Sequence, residues 1–362
     1  MNAYITGIGI YSSLGKNVEE VAASILADKS AVVESEELRR AGFNCIKCAP
    51  VPSPPDHLMP SHRARKLMSE TAVYAYIAAR EALTMAGQND ILDGSCRRNI
   101  GVIVSCDETI STVADTQKRY EAAGRTDKLS AYDAFRCMSS NVTISLTNTL
   151  GITGLALTVN AACSGSLHAV ALADRLVRAG MLDGCLVVGA QETGPMAWCA
   201  FDTLGTNVAP SGGAAAVYIE SELRYRGNME GILGSIHGYG TSVAKAIAHP
   251  SYFAELTAIE RAFDNSGIER EEINLINGHM TGTVVGNDTE LQAIRTALER
   301  LEYERPPVLT TKRLHGHELS MSGVSQVVES IACYKGKTIL INSFGLGGNN
   351  ASMILKTNCK HE

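Results

Sequence analysis

Short apolar runs bounded by glycine alternate along this chain with longer segments whose apolar residues recur every three to four positions, and that alternation restricts it to an α/β fold. Strands are expected at residues 4–10, 100–105, 156–160, 185–190, 214–220 and 232–239. Helices are expected at 66–86, closing on Gly87, and along an apolar face of Phe253, Leu256, Ile259 and Phe263 that stops at Gly267. Five prolines between Cys48 and Pro60 make that stretch a loop. The charged run 222–231 is the best boundary between two halves, 1–228 and 229–362.

With 362 residues, 45% hydrophobic and 19% charged, the chain can bury a large core and is neither disordered nor fibrous. A net charge of −6 gives no general affinity for nucleic acid, although a local basic patch is compatible with it. The ten cysteines include a single C-x-x-C pair, Cys45 and Cys48, with no second pair at zinc-ribbon spacing, which suits free thiols in a reducing cytosol. No basic n-region followed by a long apolar stretch opens the chain, and no run of 18 apolar residues occurs, so a cytoplasmic protein without a membrane anchor is expected.

Four segments carry the chemistry. In Ala156-Leu-Thr-Val-Asn-Ala-Ala-Cys163-Ser-Gly a strand passes through a tight turn into a helix, with Cys163 at the helix start. The helix dipole and unpaired N–H groups there favour a thiolate and a developing oxyanion; a buried structural cysteine fits the position equally. The second segment puts His279 after an apolar strand, followed by Thr281, Thr283 and Asn287-x-x-Glu290. Glu290 reads as catalytic or as the partner in a capping box. In the third, Lys312 precedes His315-Gly-His317 and a helix with an apolar face of Val324, Val327, Val328 and Ile331. His-x-His with Cys163 and His279 would suit zinc chemically, but no carboxylate or further cysteine stands at ligand spacing, so no metal is expected. The fourth, Phe344-Gly345-Leu346-Gly347-Gly-Asn, is a glycine-rich turn between strands, without the spacing of a dinucleotide site and suited to close approach by a substrate.

Taken together and in this order, Tyr-Ile-Thr-Gly-Ile-Gly at the start, Ala-Cys163-Ser-Gly, His279-x-Thr-Gly-Thr with Glu290, Thr-Lys312 with His317, and Phe344-Gly-Leu-Gly-Gly-Asn resemble the β-ketoacyl-acyl-carrier-protein synthases, condensing enzymes of the thiolase-like superfamily. The resemblance spans nearly the whole chain. It implies a duplicated α-β-α-β-α layered fold with mixed sheets, the first half carrying the nucleophile and the second the two histidines and the lysine. It also implies a dimer, with a second copy or with a related synthase subunit.

On this resemblance Cys163 takes the acyl chain from acyl-carrier protein, and His279 and His317 hold the thioester carbonyl of malonyl-acyl-carrier protein while carbon dioxide leaves. The N–H groups of Cys163 and Leu346 form the oxyanion hole, Lys312 and Glu290 a buried ion pair, and Thr281 and Thr283 bind the phosphopantetheine arm. Phe344, Gly345, Leu346 and Gly347 form a glycine-rich gate, Arg63, Arg65 and Lys66 a docking patch for the carrier protein, and Lys128 a second docking point. No cofactor is implied beyond the phosphopantetheine that the carrier protein brings. His315 is left as a loop histidine.

The chain departs from the family at Met280, at Leu346 in place of the usual phenylalanine, in a shortened segment between Glu192 and Phe201, and from Asp202 through Ser211. These leave acyl-chain length, pathway and pairing partner open. A second reading is a chain-length-determining partner subunit with little activity, which the presence of Cys163 disfavours. A third is a thiolase, which the histidine pair disfavours.

Overall fold

The computed structural model describes residues 1–107, 109–225, 231–245, 247, 249–298 and 306–358. The boundary expected at 228/229 lies outside the described residues. Among the described residues twelve strands form: β1 (Ala3–Tyr11), β2 (Val33–Glu34), β3 (Lys47–Cys48), β4 (Ile100–Ser105), β5 (Ala156–Val159), β6 (Gly184–Gln191), β7 (Gly213–Ser221), β8 (Gly234–Val243), β9 (Leu275–Asn277), β10 (Val308–Leu309), β11 (Thr338–Phe344) and β12 (Asn349–Thr357). β2 and β3 make a two-stranded ribbon, and the other ten make one mixed sheet in the order β10-β9-β11-β12-β8-β1-β7-β6-β4-β5.

That order is a duplication. Read outward from the centre, β1-β7-β6-β4-β5 and β8-β12-β11-β9-β10 repeat one pattern, each with two parallel pairs at its outer end and two antiparallel pairs inside. The halves meet where β1 pairs antiparallel with β8 at Ile5 and Gly234. Glycines show why the same packing arises twice. A Cβ on Gly7 or Gly9 of β1 would come within 2.0 and 2.1 Å of the Ala82 and Ala78 carbonyls, and a Cβ on Gly238 or Gly240 of β8 within 2.1 and 2.0 Å of those of Ala262 and Ala258. Each half thus lays a helix directly on a Gly-x-Gly strand, an approach no larger residue permits.

Three apolar cores separate the layers. Helix Glu70–Met85 covers the outer face of the first half with Leu83, Ile77 and Tyr74, and helices Tyr252–Asp264 and Val284–Leu298 cover the second with Ile259, Phe263 and Ile294. Between the halves, helices Gly165–Arg178 and Ser322–Cys333 are enclosed by both sets of strands. Each fully buried side chain such as Leu83 or Ile103 contributes roughly 1.5–3 kcal/mol. The result is the layered, duplicated architecture expected from the resemblance.

Two local expectations fail. The helix read from Lys66 begins at Glu70, because Ser69 caps it by accepting the Ala72 N–H at 3.2 Å. Arg63, Arg65 and Lys66 instead close a separate short helix, His62–Arg65, where cations suit the negative end of the backbone dipole. Phe253 is 76% exposed, so the apolar face of its helix is carried by Ile259 and Phe263. All nine described cysteines are free thiols, and among the described residues no helix is long and apolar enough to cross a membrane.

Candidate active site

All four chemical segments converge on the boundary between the halves. β5 ends four residues before Cys163, and its counterpart β10 ends three residues before Lys312, so the thiol and the 312–318 segment occupy matching strand ends. β9 delivers His279, and β11 delivers Phe344 and the glycine-rich turn. Strand ends in parallel units are where exposed backbone groups and variable loops come together.

Cys163 sits in a 3₁₀ turn, Ala162–Ser164, just ahead of helix Gly165–Arg178. Ala162 is held in a left-handed conformation, φ 49°, which an alanine adopts only under constraint. Gly345 supplies part of the constraint: a Cβ there would lie 3.0 Å from the Ala161 carbonyl and 3.3 Å from the Ala162 Cβ. The Ser343 hydroxyl donates to the Cys163 carbonyl at 2.8 Å. β11 and the turn after it are therefore pressed against the backbone of Cys163.

The Cys163 sulfur lies 3.2 Å from His317 Nε2, and the His279 ring meets His317 edge-on with centroids 5.4 Å apart. The Ser322 hydroxyl is 3.3 Å from His317 Nδ1, which suits a proton on Nε2. Burial pushes the Cys163 thiol up to about 11, against the opposing pull of the Leu346 N–H, the Lys312 charge and its own N–H. Burial likewise holds both histidines well below the usual imidazole range, with the Lys312 charge adding to the effect. A neutral thiol therefore faces two neutral imidazoles and two backbone donors. Donor atoms of Cys163, His279 and His317 come within 4.8 Å of one another, with one His317 ring nitrogen on the thiol and the other on Ser322.

Glu290 and Lys312 are both buried, but they do not meet as a direct ion pair. The Glu290 carboxylate accepts the N–H groups of His279 at 2.8 Å and Met280 at 2.7 Å, and the Asn342 amide at 3.1 Å. It acts on Lys312 only through space, as one of three carboxylates opposing the lowering that burial imposes on the ammonium. Nor does Glu290 complete a capping box with Asn287. The helix starts earlier, at Val284, with Thr283 Oγ1 accepting the Gly286 N–H at 3.2 Å, so Glu290 is already in the second turn and faces the His279 loop. Glu290 thus sets the backbone of Met280, whose φ of 23° is also left-handed.

A cavity of about 930 Å³ opens on these groups. Thr281, Thr283 and Leu346 line it, and so do Trp198 and Phe201 of helix Pro195–Asp202, which the shortened segment after Glu192 still supplies. Phe43 and Cys45 line it too, a contribution the sequence did not signal: Asp202 draws their loop in by accepting the N–H groups of Asn44 at 2.8 Å and Cys45 at 2.9 Å. Arg63, Arg65, Lys66 and Lys128 are exposed and form no ion pair among the described residues. His315 is not a loop histidine. It ends helix Lys312–His315, is 2% exposed, and lies between two buried carboxylates.

A duplicated layered fold with a strand-end thiol, paired histidines and backbone donors defines an acyl-transferring enzyme of the thiolase-like class. Family models resolve the class further. The β-ketoacyl synthase N-terminal domain matches residues 3–218 and the β-ketoacyl synthase C-terminal domain residues 233–342, so the chain belongs to the β-ketoacyl synthase family of condensing enzymes. It is 26% identical to 3-oxoacyl-[acyl-carrier-protein] synthase 1 of Buchnera aphidicola subsp. Baizongia pistaciae, over 97% of this chain and 98% of that protein. That alignment runs over 410 positions against 362 residues here, so the relative carries stretches this chain lacks. The fold matches a β-ketoacyl synthase from Burkholderia phymatum STM815 with a TM-score of 0.87 at 20% identity, covering 99% of this chain and 100% of that one. It matches the ishigamide ketosynthase/chain length factor equally well, with a TM-score of 0.87 at 23% identity and 99% of each chain covered.

Proposed function

We propose that the protein catalyses decarboxylative Claisen condensation between an acyl group held on Cys163 and malonyl-acyl-carrier protein, giving a 3-oxoacyl-acyl-carrier protein. The observation that carries this is the 3.2 Å approach of His317 Nε2 to the Cys163 sulfur beside the His279 ring, with the N–H groups of Leu346 and Cys163 facing the same atom. Transfer of the acyl group onto the thiol passes through an oxyanion that these two N–H groups stabilise, and as the carrier-protein thioester bond breaks the departing phosphopantetheine sulfur leaves with the proton of the Cys163 thiol. The neutral imidazoles then donate to the malonyl thioester oxygen as carbon dioxide leaves, and the enolate carbon attacks the acyl carbonyl. Cys163 departs as thiolate and takes up one proton per cycle, and its raised affinity for that proton makes it a neutral thiol at rest. Thr281 and Thr283 bind the phosphopantetheine arm, and Arg63, Arg65, Lys66 and Lys128 dock the acidic carrier protein. The protein pairs with a second copy or a related subunit and works in the cytoplasm.

A partner-subunit reading is tested by the same experiment. Intact-mass analysis against a panel of acyl-carrier-protein thioesters is expected to show acyl adducts on the parent and none on Cys163→Ala. An unacylated parent would favour the partner-subunit role.

A further inference from the structure

Helix Ser322–Cys333 is buried through Ile331, yet one face is polar: Ser322, Ser325, Gln326 and Glu329 recur at the three-to-four-residue spacing of one helix stripe. Each has an assignment. Ser322 meets His317, and the Gln326 amide nitrogen lies 3.0–3.2 Å from the carbonyls of Asn277, Gly278 and Asn342, which holds the strand ends on either side of His279. Glu329 accepts the Thr311 hydroxyl at 2.6 Å and the Ser325 hydroxyl at 3.3 Å. Its Oε1 also lies 3.1 Å from His315 Nε2, while the other ring nitrogen, Nδ1, lies 3.5 Å from Glu318 Oε1. His315, Glu318 and Glu329 are 2%, 0% and 1% exposed.

Each His315 ring nitrogen lies within ion-pair distance of a carboxylate oxygen without hydrogen-bond geometry, and two such charges favour the imidazolium form. Donor spacing alone would also allow a metal at these three residues, but the carboxylates lie off opposite ring nitrogens, and one ion cannot use both. The ion triplet belongs to the segment that carries the site's cation and one of its histidines, since Lys312, His315, His317 and Glu318 fall within seven residues. Buried charges of this kind are costly unless paired, and removing one partner leaves the rest uncompensated.

We propose that His315 and Glu329, with Glu318, are positioning residues: a buried ion triplet that fastens the 312–318 segment to the central helix and sets the balance of charge around Lys312 and the Cys163 sulfur. The proposal rests on Cys163 being the nucleophile. The groups facing the triplet are Lys312 and His317 on its own segment, and Cys333 and Tyr334 at the end of the central helix. Beyond Lys312 stands Glu290, and the sulfur also feels Asp107. The two carboxylates raise the proton affinity of His315 despite the opposing effect of burial, consistent with the charged form.

The test is the rate of iodoacetamide alkylation at Cys163, followed by peptide mass at pH 9 in the full chain, which requires no turnover. His315→Gln removes a positive charge and is expected to slow alkylation about three- to tenfold, whereas Glu329→Gln removes a negative one and is expected to speed it by a similar factor. The double variant should return close to the parent rate. A general loosening of the fold would expose the buried Cys163 and speed alkylation in both variants, so opposite shifts report charge. Equal rates in all four proteins, or both single variants shifting the same way, would overturn the proposal. Failure of Cys163 to accept acyl groups in the mass experiment would overturn the nucleophile reading instead.

Discussion

His317 turns Nε2 onto the Cys163 sulfur at 3.2 Å, while the His279 ring packs edge-on to His317 and tilted against Phe344. The two histidines are therefore unequal. His317 lies against the Cys163 thiol, and both rings line the same cavity.

From that inequality, His317→Ala is expected to slow both acylation of Cys163 and decarboxylation, while His279→Ala slows decarboxylation alone. Each should lower condensation on the order of a hundredfold or more, as loss of one oxyanion donor does. Single-turnover acylation by quenched-flow mass analysis, set beside carbon dioxide release from malonyl-acyl-carrier protein, separates the steps. Equal acylation defects in the two variants would refute the division of labour.

Gly9 and Gly240 stand at matching points of the duplicated sheet, and either substitution to alanine would drive a Cβ to about 2 Å from a helix carbonyl, Ala78 or Ala258. Backbone cannot yield as a flexible side chain does, so each variant is expected to lose about 1–3 kcal/mol. Urea denaturation of the purified proteins gives the comparison. A midpoint unchanged from the parent in both would mean that the helices can lift off their strands at no cost.

These glycines also show how far the sequence could be read. The strand and helix alternation was legible because apolar runs and periodicity are local, and Cys163, His279, Lys312 and His317 were legible because each follows a strand. The Gly-x-Gly repeat at 7–9 and 238–240 was present but small, and its meaning depends on helices 70 residues away in one half and 20 in the other. His315 was misread as a loop residue because its two partners, Glu318 and Glu329, come from different turns of structure, and only packing brings them together. The separation of Glu290 from Lys312 was hidden for the same reason: charge type is visible in a sequence, whereas the backbone amides that take up a carboxylate are not.

Arg63 and Arg65 are exposed, form no ion pair among the described residues, and stand at the end of a helix where their charge is tolerated without a partner. Reversing both to glutamate is expected to raise the KM for carrier-protein substrates and weaken its dependence on salt, with reaction of a small pantetheine thioester unchanged. Steady-state kinetics with both substrates at two ionic strengths makes the distinction. A loss shared by both would identify the patch as structural, and no change in either would place docking elsewhere.

Glu255 presents a different kind of electrostatic consequence. It is 2% exposed and lines the cavity, and burial, with the nearby Glu290 charge adding to it, pushes its carboxyl up to about 8, only partly offset by the Ser251 N–H. The folded chain therefore holds this proton more tightly than the unfolded chain, whose ordinary value is 4.5. By linkage, the stability associated with the protonated group is fully present below about pH 4.5 and is lost progressively as pH rises toward 8. Glu255→Gln has no proton to lose, so its stability relative to the parent is expected to grow across that window and to level off above it. Buried acids not coupled to it, such as Glu81 and Asp107, titrate in both proteins and cancel in the difference. Urea midpoints of parent and variant at pH 5 and pH 8.5 are the measurement, and parallel values at both would mean that Glu255 enters the folded state already ionised.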